Sequence, residues 1–189
     1  MVIRLPNGWI LLAFLALFPI VAIGCNSTAH PSQPVVSSKP HESTDKGQVH
    51  GIVVGVSDGD TVTVLDHQQV QHRIRLLGID APEKNQPFGK VAKQVLSDRI
   101  FNQEVAVHTT GIDRYKRTLG KIVLNGVDQN LALIQEGVAW HYAHYSKNQF
   151  PGDAATYADA ERTARQNQIG LWRDPKPTPP WDWRRSRRR

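Results

Sequence analysis

The sequence predicts an α+β fold with a mainly β core. Three observations predict it. Short runs rich in Val, Ile and Thr recur between turn residues. Apolar residues at helical spacing fill stretches between and after those runs. The length, 189 residues, suits one domain with tails.

Residues 49–56 and 61–65 are the first two strands, and Ser57-Asp58-Gly59-Asp60 between them is a turn signal. Residues 73–79 make a third strand after the loop Asp66-His67-Gln68-Gln69. Residues 104–109 and 118–124 are the fourth and fifth, the latter running into Asn125-Gly126, a strong turn dipeptide. Phe88, Val91, Ala92, Val95, Leu96 and Ile100 form one apolar helical stripe. Residues 128–136 carry Leu131 and Ile134 and are followed by Gly137, which suits a helix with a glycine stop. The alanine-rich stretch 153–167 offers Ala154, Tyr157, Ala158 and Ala164 for packing, and Gly170-Leu171-Trp172 can tuck back on the core. Five strands with about three inserted helices suggest a small, partly closed barrel of the oligonucleotide/oligosaccharide-binding type, the OB-fold. There is no internal repeat.

The ends read differently. Residues 1–24 resemble an export signal: Arg4 lies in the first eight residues, and residues 9–24 are apolar and uncharged. That run is too short to read as a spanning helix. It ends Ala22-Ile23-Gly24-Cys25, similar to a bacterial lipobox, in which cleavage precedes a cysteine that is then lipidated. Ala22 replaces the usual larger aliphatic residue, so ordinary cleavage, to a periplasmic or secreted protein, is the alternative. Cys25 is the only cysteine, so no intrachain disulfide can form. Residues 25–47, rich in Ser, Pro, Thr and His, read as the lipid-anchor cysteine and a flexible tether. The domain proper is expected at 48–173. Residues 174–189 form a Pro/Trp/Arg-rich basic tail, extended through its four prolines at 174–180.

Net charge is +6. Arg4 and the five arginines among residues 184–189 account for it. Setting these aside leaves 17 of the 23 Lys and Arg against 17 Asp and Glu. The body is formally neutral, and the tail steers toward polyanions without specifying chemistry.

Chemistry concentrates in the middle of the chain: Asp58-Gly59-Asp60-Thr61, then Arg75 through Ile79-Asp80-Ala81-Pro82-Glu83, then Asp113-Arg114-Tyr115-Lys116-Arg117. Carboxylates there suit a hard cation, and arginines suit a phosphate. Both together are what phosphodiester hydrolysis needs. Strict alternation puts Arg75 and Asp80 on opposite strand faces, so they converge only if the chain bends between them, and Gly78 is the natural place. Arg73 shares a face with Arg75 and reads as solvated. His141 and His144 form a His-x-x-His pair without a third ligand at zinc spacing. Trp181-Asp182-Trp183 suits stacking on bases or a membrane interface.

With Leu131-Ala132-Leu133-Ile134-Gln135-Glu136-Gly137, these motifs make about two thirds of the chain resemble the staphylococcal nuclease (thermonuclease) family. The resemblance implies a five-stranded barrel with three helices and calcium-dependent hydrolysis of DNA and RNA. It implies that Asp60, Asp80 and the Ala81 carbonyl hold Ca²⁺, and that Glu83 is the general base. It implies that Arg75 and Arg117 bind the scissile phosphate, while Tyr115 and Tyr145 lie near the nucleotide. It also implies 3′-phosphate ends. Two departures stand out. Lys116 replaces a usual glycine; if the turn needs a positive φ, Lys116 strains it and can misplace Arg117. The loop from 83 to 89 is shorter than in the founding nuclease.

The expectation is an exported, lipid-anchored, monomeric endonuclease. It acts on DNA and RNA, favouring single-stranded or frayed regions, with little sequence preference and no obligate protein partner. The alternatives are a catalytically inactive nucleic-acid-binding module on the same barrel, and a surface adaptor holding polyanions by its tail.

Overall fold

The structure, a computed structural model, describes residues 47–188. The signal-like segment, Cys25 and most of the tether lie outside the described residues.

Val, Ile and Thr drive the strands because branched side chains pack well on a pleated surface. β1 (Gln48–Asp58) pairs antiparallel with β2 (Thr61–Asp66), which pairs antiparallel with β3 (Gln71–Leu76). On its other edge β1 pairs with β5 (Glu104–Ile112), and β5 pairs with β6 (Thr118–Leu124). A parallel pairing of β3 with β6 closes the ring of five strands. Closure removes the exposed edges that would otherwise template aggregation. Register shifts in β1 near Val53–Gly55 and Val56–Asp58 mark irregularities on the side that leads into the Asp58–Asp60 turn.

Val53, Val62, Val64, Ile74, Leu76, Val105, Val107 and Ile122 from these strands share one buried core. Each such side chain contributes roughly 1.5–3 kcal/mol of burial. The stripe expected from Phe88 to Ile100 forms α1 (Gly89–Ile100), which adds Ala92, Leu96 and Ile100 to that core. α2 (Gln129–Gln135) follows the short β7 (Val127–Asp128) and adds Leu133 and Ile134. Its N-cap is Asp128, whose Oδ1 accepts from Leu131 N at 3.0 Å. α3 (Asp153–Gln166) buries Tyr157, whose hydroxyl donates to the other Asp128 oxygen at 2.8 Å. Burial and the Asp128 charge push that phenol far above its usual range.

Two further pieces shape the site. β4 (Ile79–Asp80) pairs with β8 (Trp140–His141). Residues 174–179 form no helix, but the tail then ends in a short helix that the sequence did not suggest, α4 (Pro180–Ser186), with proline at its first position. Trp181 packs against a second apolar cluster of Trp140, Ala164, Leu171 and Trp172. The Arg165 guanidinium stacks on Trp172 at 3.9 Å.

Candidate functional site

Asp58 and Asp60 come from the turn joining β1 and β2. Asp58 Oδ1 accepts from Asp60 N at 3.1 Å, which fixes the turn. Asp60 is buried, and its oxygens are occupied: Oδ1 accepts from Thr61 Oγ1 at 3.1 Å, and Oδ2 accepts from Ala81 N at 2.9 Å. Burial and the charge of Asp60 push the Asp58 carboxyl up to about 6.

Arg75 and Asp80 do converge. β3 stops at Leu76, and Gly78 turns the chain with φ +77° before β4 begins. A Cβ there would lie 2.8–3.0 Å from the Gln149 and Tyr157 side chains, so glycine is required twice over. Asn130, fully buried, donates to Leu77 O at 3.0 Å and to Gly120 O at 3.2 Å, and accepts from Ile122 N. It ties the turn to the barrel. Tyr142 N donates to Gly78 O at 2.8 Å from the other side.

Through that bend, Arg75 Nη2 reaches Asp80 Oδ1 at 2.9 Å and Asp60 Oδ2 at 3.2 Å. One nitrogen therefore bridges the two aspartates. Arg75 Nη1 donates to the carbonyls of Leu76 and Ile79 at 2.7 and 2.9 Å. Asp80 is 1% exposed. Burial pushes its carboxyl above the usual range and Asp60 adds to the push, while Arg184 and Arg75 pull the other way.

Glu83 follows in the loop after β4, with its side chain 41% exposed. Its N–H donates to Gln86 Oε1 at 3.1 Å. α1 begins so close that a Cβ on Gly89 would lie 1.9 Å from Glu83 O. The close approach of Gly89 fixes where Glu83 leaves the backbone.

Arg117 lies at the far end of the β5–β6 connection. Asp113 Oδ1 accepts from the N–H groups of Tyr115 and Arg117 at 2.8 and 2.9 Å, and its Oδ2 accepts from Arg117 Nε at 2.8 Å. Burial alone would raise the Asp113 carboxyl, but these bonds hold it below the usual range. Lys116 does adopt positive φ, 62°, in that turn. Arg117 nevertheless faces the site, with Nη1 3.3 Å from Thr61 Oγ1. Tyr115 is exposed, with the guanidinium of Arg114 4.8 Å from its ring centroid.

These groups line one cavity of about 680 Å³, which also includes Ala81, Tyr145 and Arg73. All eight candidate residues beyond Cys25 face it: Asp60, Arg75, Asp80, Ala81, Glu83, Tyr115, Arg117 and Tyr145. Tyr142, Arg184 and Arg188 line it too, and sequence reasoning missed them. Tyr142 stacks on Trp181 with centroids 5.4 Å apart. Arg184, assigned to a steering tail, donates to Asp80 and Glu83 through both Nη groups. The signal available was Pro180 opening a short run with Asp182 early and Arg184 and Arg185 late, a charge order that suits a helix dipole. His141 is buried against Tyr157 and Gln149, and desolvation holds its imidazole below its ordinary value.

The donor set on this wall is all oxygen and hard. Among the described residues no three His, Cys, Asp or Glu side chains gather as a metal cluster. A cation here would rest on Asp60 and Asp80, with backbone carbonyl and water completing its shell, which suits Ca²⁺ better than zinc.

A closed OB-type barrel with carboxylates and arginines converging on one side cavity defines the class of protein. The family model for staphylococcal nuclease homologues matches residues 73–174. The chain is 45% identical over 145 residues to a micrococcal nuclease of Shigella flexneri, covering 72% of this chain and 80% of that protein. It is 40% identical over 133 residues to an uncharacterized endonuclease of Haemophilus influenzae, covering 70% and 71%. It is also 39% identical over 148 residues to the protein ParB of Escherichia coli, covering 73% and 80%. The chain belongs to the staphylococcal nuclease family.

Proposed function

We propose that this protein is a calcium-dependent endonuclease that hydrolyses DNA and RNA phosphodiesters with little sequence preference. The observation that carries the reading is the convergence of Asp60, Asp80, Glu83, Arg75 and Arg117 on one cavity. Relatives named as nucleases support the coarser part of it, a staphylococcal-nuclease-type endonuclease.

Asp60, Asp80 and the Ala81 carbonyl would hold Ca²⁺, which supplies Lewis-acid stabilisation of the phosphate and lowers the pKa of a bound water. Arg75 approaches the cavity from β3 and Arg117 from the β5–β6 connection, and both offer guanidinium N–H groups to phosphate oxygens. They stabilise charge that grows on the phosphate during attack. Asp113 keeps Arg117 in one orientation, so little reorganisation is needed when substrate arrives. Glu83, half-exposed at the cavity rim, accepts the proton of the attacking water. Tyr115 and Tyr145 give stacking surface for a nucleotide. All these groups address phosphate, sugar or a base face, so no base-reading element is present among them. The 5′ oxygen leaves, giving 3′-phosphate ends. Residues 1–24 direct export and a lipid on Cys25 holds the chain at a membrane. The domain then spans 48–173 and the protein works as a monomer.

The test is cleavage of single-stranded DNA and RNA by the purified protein, with Ca²⁺ and with a chelator, beside Glu83→Gln. Cleavage should need Ca²⁺, fall about two orders of magnitude in the variant, and leave 3′-phosphate ends by end analysis. A folded wild-type protein that binds DNA without cutting it would instead support the inactive binding module.

A further inference from the structure

We propose that Arg184 is an internal stand-in for the divalent cation: α4 docks it on Asp80 and Glu83, and a metal ion must displace it to enter the site. The inference rests on the calcium reading above. Arg184 Nη2 donates to Asp80 Oδ2 at 2.7 Å, and Nη1 donates to Glu83 Oε1 at 2.7 Å and to Asp80 Oδ1 at 3.3 Å. Arg75 holds Asp80 Oδ1 from the other side at 2.9 Å. Both oxygens of Asp80 are therefore engaged by guanidinium groups. The positive charge of Arg184 balances the carboxylates as a cation would.

The docking is built rather than incidental. Trp181 stacks on Tyr142, with planes 28° apart, and meets Trp140 edge-on at 5.5 Å. Pro180 is buried. Gln86 bridges the two ends of the arrangement: its Oε1 accepts from Glu83 N, and its Nε2 donates to Thr178 O at 2.6 Å. Neighbouring arginines behave differently. Arg185 pairs with Asp182 at 2.9 Å, and Arg187 lies over the Trp183 ring at 5.6 Å. Arg184 alone among these three is aimed at the carboxylates.

Only molecules with α4 released are competent to bind the ion, so apparent affinity is reduced by the fraction released. Calcium binding and tail release are one linked equilibrium. Substrate cleavage then waits on a cation concentration high enough to expel Arg184, which keeps the site closed where calcium is scarce.

The experiment is a calorimetric Ca²⁺ titration of the full-length wild type, Arg184→Gln and Trp181→Ala, without substrate. Tryptophan fluorescence and trypsin sensitivity of the tail are followed alongside. Arg184→Gln should bind Ca²⁺ more tightly by about tenfold or more. Trp181→Ala leaves the site carboxylates untouched and should shift affinity the same way by a smaller factor. It covers the case in which Arg184→Gln fails to fold. In wild type, Ca²⁺ should change the fluorescence and expose the tail to trypsin. Equal affinities in all three proteins, with cleavage still calcium-dependent, would overturn the stand-in and leave the nuclease reading intact. No calcium binding by any of them, with cleavage surviving chelator, would remove the calcium reading and the stand-in together.

Discussion

Lys116 sits at φ 62° in the turn that delivers Arg117. A left-handed conformation costs a residue with a Cβ about 1–2 kcal/mol. The turn survives because Asp113 outbids that strain: its backbone carbonyl accepts from Lys116 N at 3.0 Å, and its carboxylate takes the N–H groups of Tyr115 and Arg117. The departure from the family's glycine therefore bears on stability and leaves the guanidinium in place. Lys116→Gly should raise unfolding free energy by about 0.5–1 kcal/mol, the relief of strain less the extra freedom of glycine in the unfolded chain. Urea denaturation reads it, and DNA cleavage should hold near the wild-type rate. A loss of stability would mean that the Lys116 side chain makes contacts that outweigh the strain.

At the scale of elements, the site depends on one bend. β3 carries Arg75 and β4 carries Asp80, and the Leu77–Gly78 turn between them brings the two side chains within 2.9 Å. Asn130 on α2 fastens that turn, so a helix with no residue in the cavity sets its geometry. Asn130→Ala would leave buried backbone groups at Leu77 and Ile122 without their side-chain partner. The expected cost is about 2 kcal/mol or more, read by thermal or urea unfolding. Because Asp80 then shifts against Arg75, Ca²⁺ affinity should fall as well. Unchanged stability would show that water replaces the amide. The bend was legible in the sequence: alternation alone demanded a break, and Gly78 was the residue able to supply it. The five strands and the helices α1, α2 and α3 were legible for a similar reason, since each carries its own period, cap or turn residues. α4 was not. Four prolines before Trp181 argue for extended chain, neither a capping side chain nor a glycine stop marks the ends as they do for α2, and the helix forms where Trp181 finds Tyr142 and Trp140, contacts that no local pattern encodes. For the same reason Arg184 looked like one more member of a basic run.

For the whole molecule, charge is divided between two jobs. The body is near neutral and the basic excess sits in the last residues, yet Arg184 is spent inside the site while Arg185 and Arg187 remain exposed. Only exposed arginines are available to neutralise phosphates at a distance and release counterions. The double variant Arg185→Ala/Arg187→Ala separates the jobs. Binding to single-stranded DNA should weaken, and the slope of log affinity against log salt should flatten by about 1 to 1.5, following the roughly 0.7 per phosphate neutralised on single strands. Its Ca²⁺ affinity should stay at the wild-type value, because neither side chain touches Asp80 or Glu83. Arg184→Gln should show the reverse pattern, with calcium affinity moved and the salt slope nearly kept. Salt-dependent binding isotherms and calcium titrations of the two variants make the comparison. A flattened slope with Arg184→Gln and none with the double variant would place polyanion steering in the docked residue and leave the exposed run without that role.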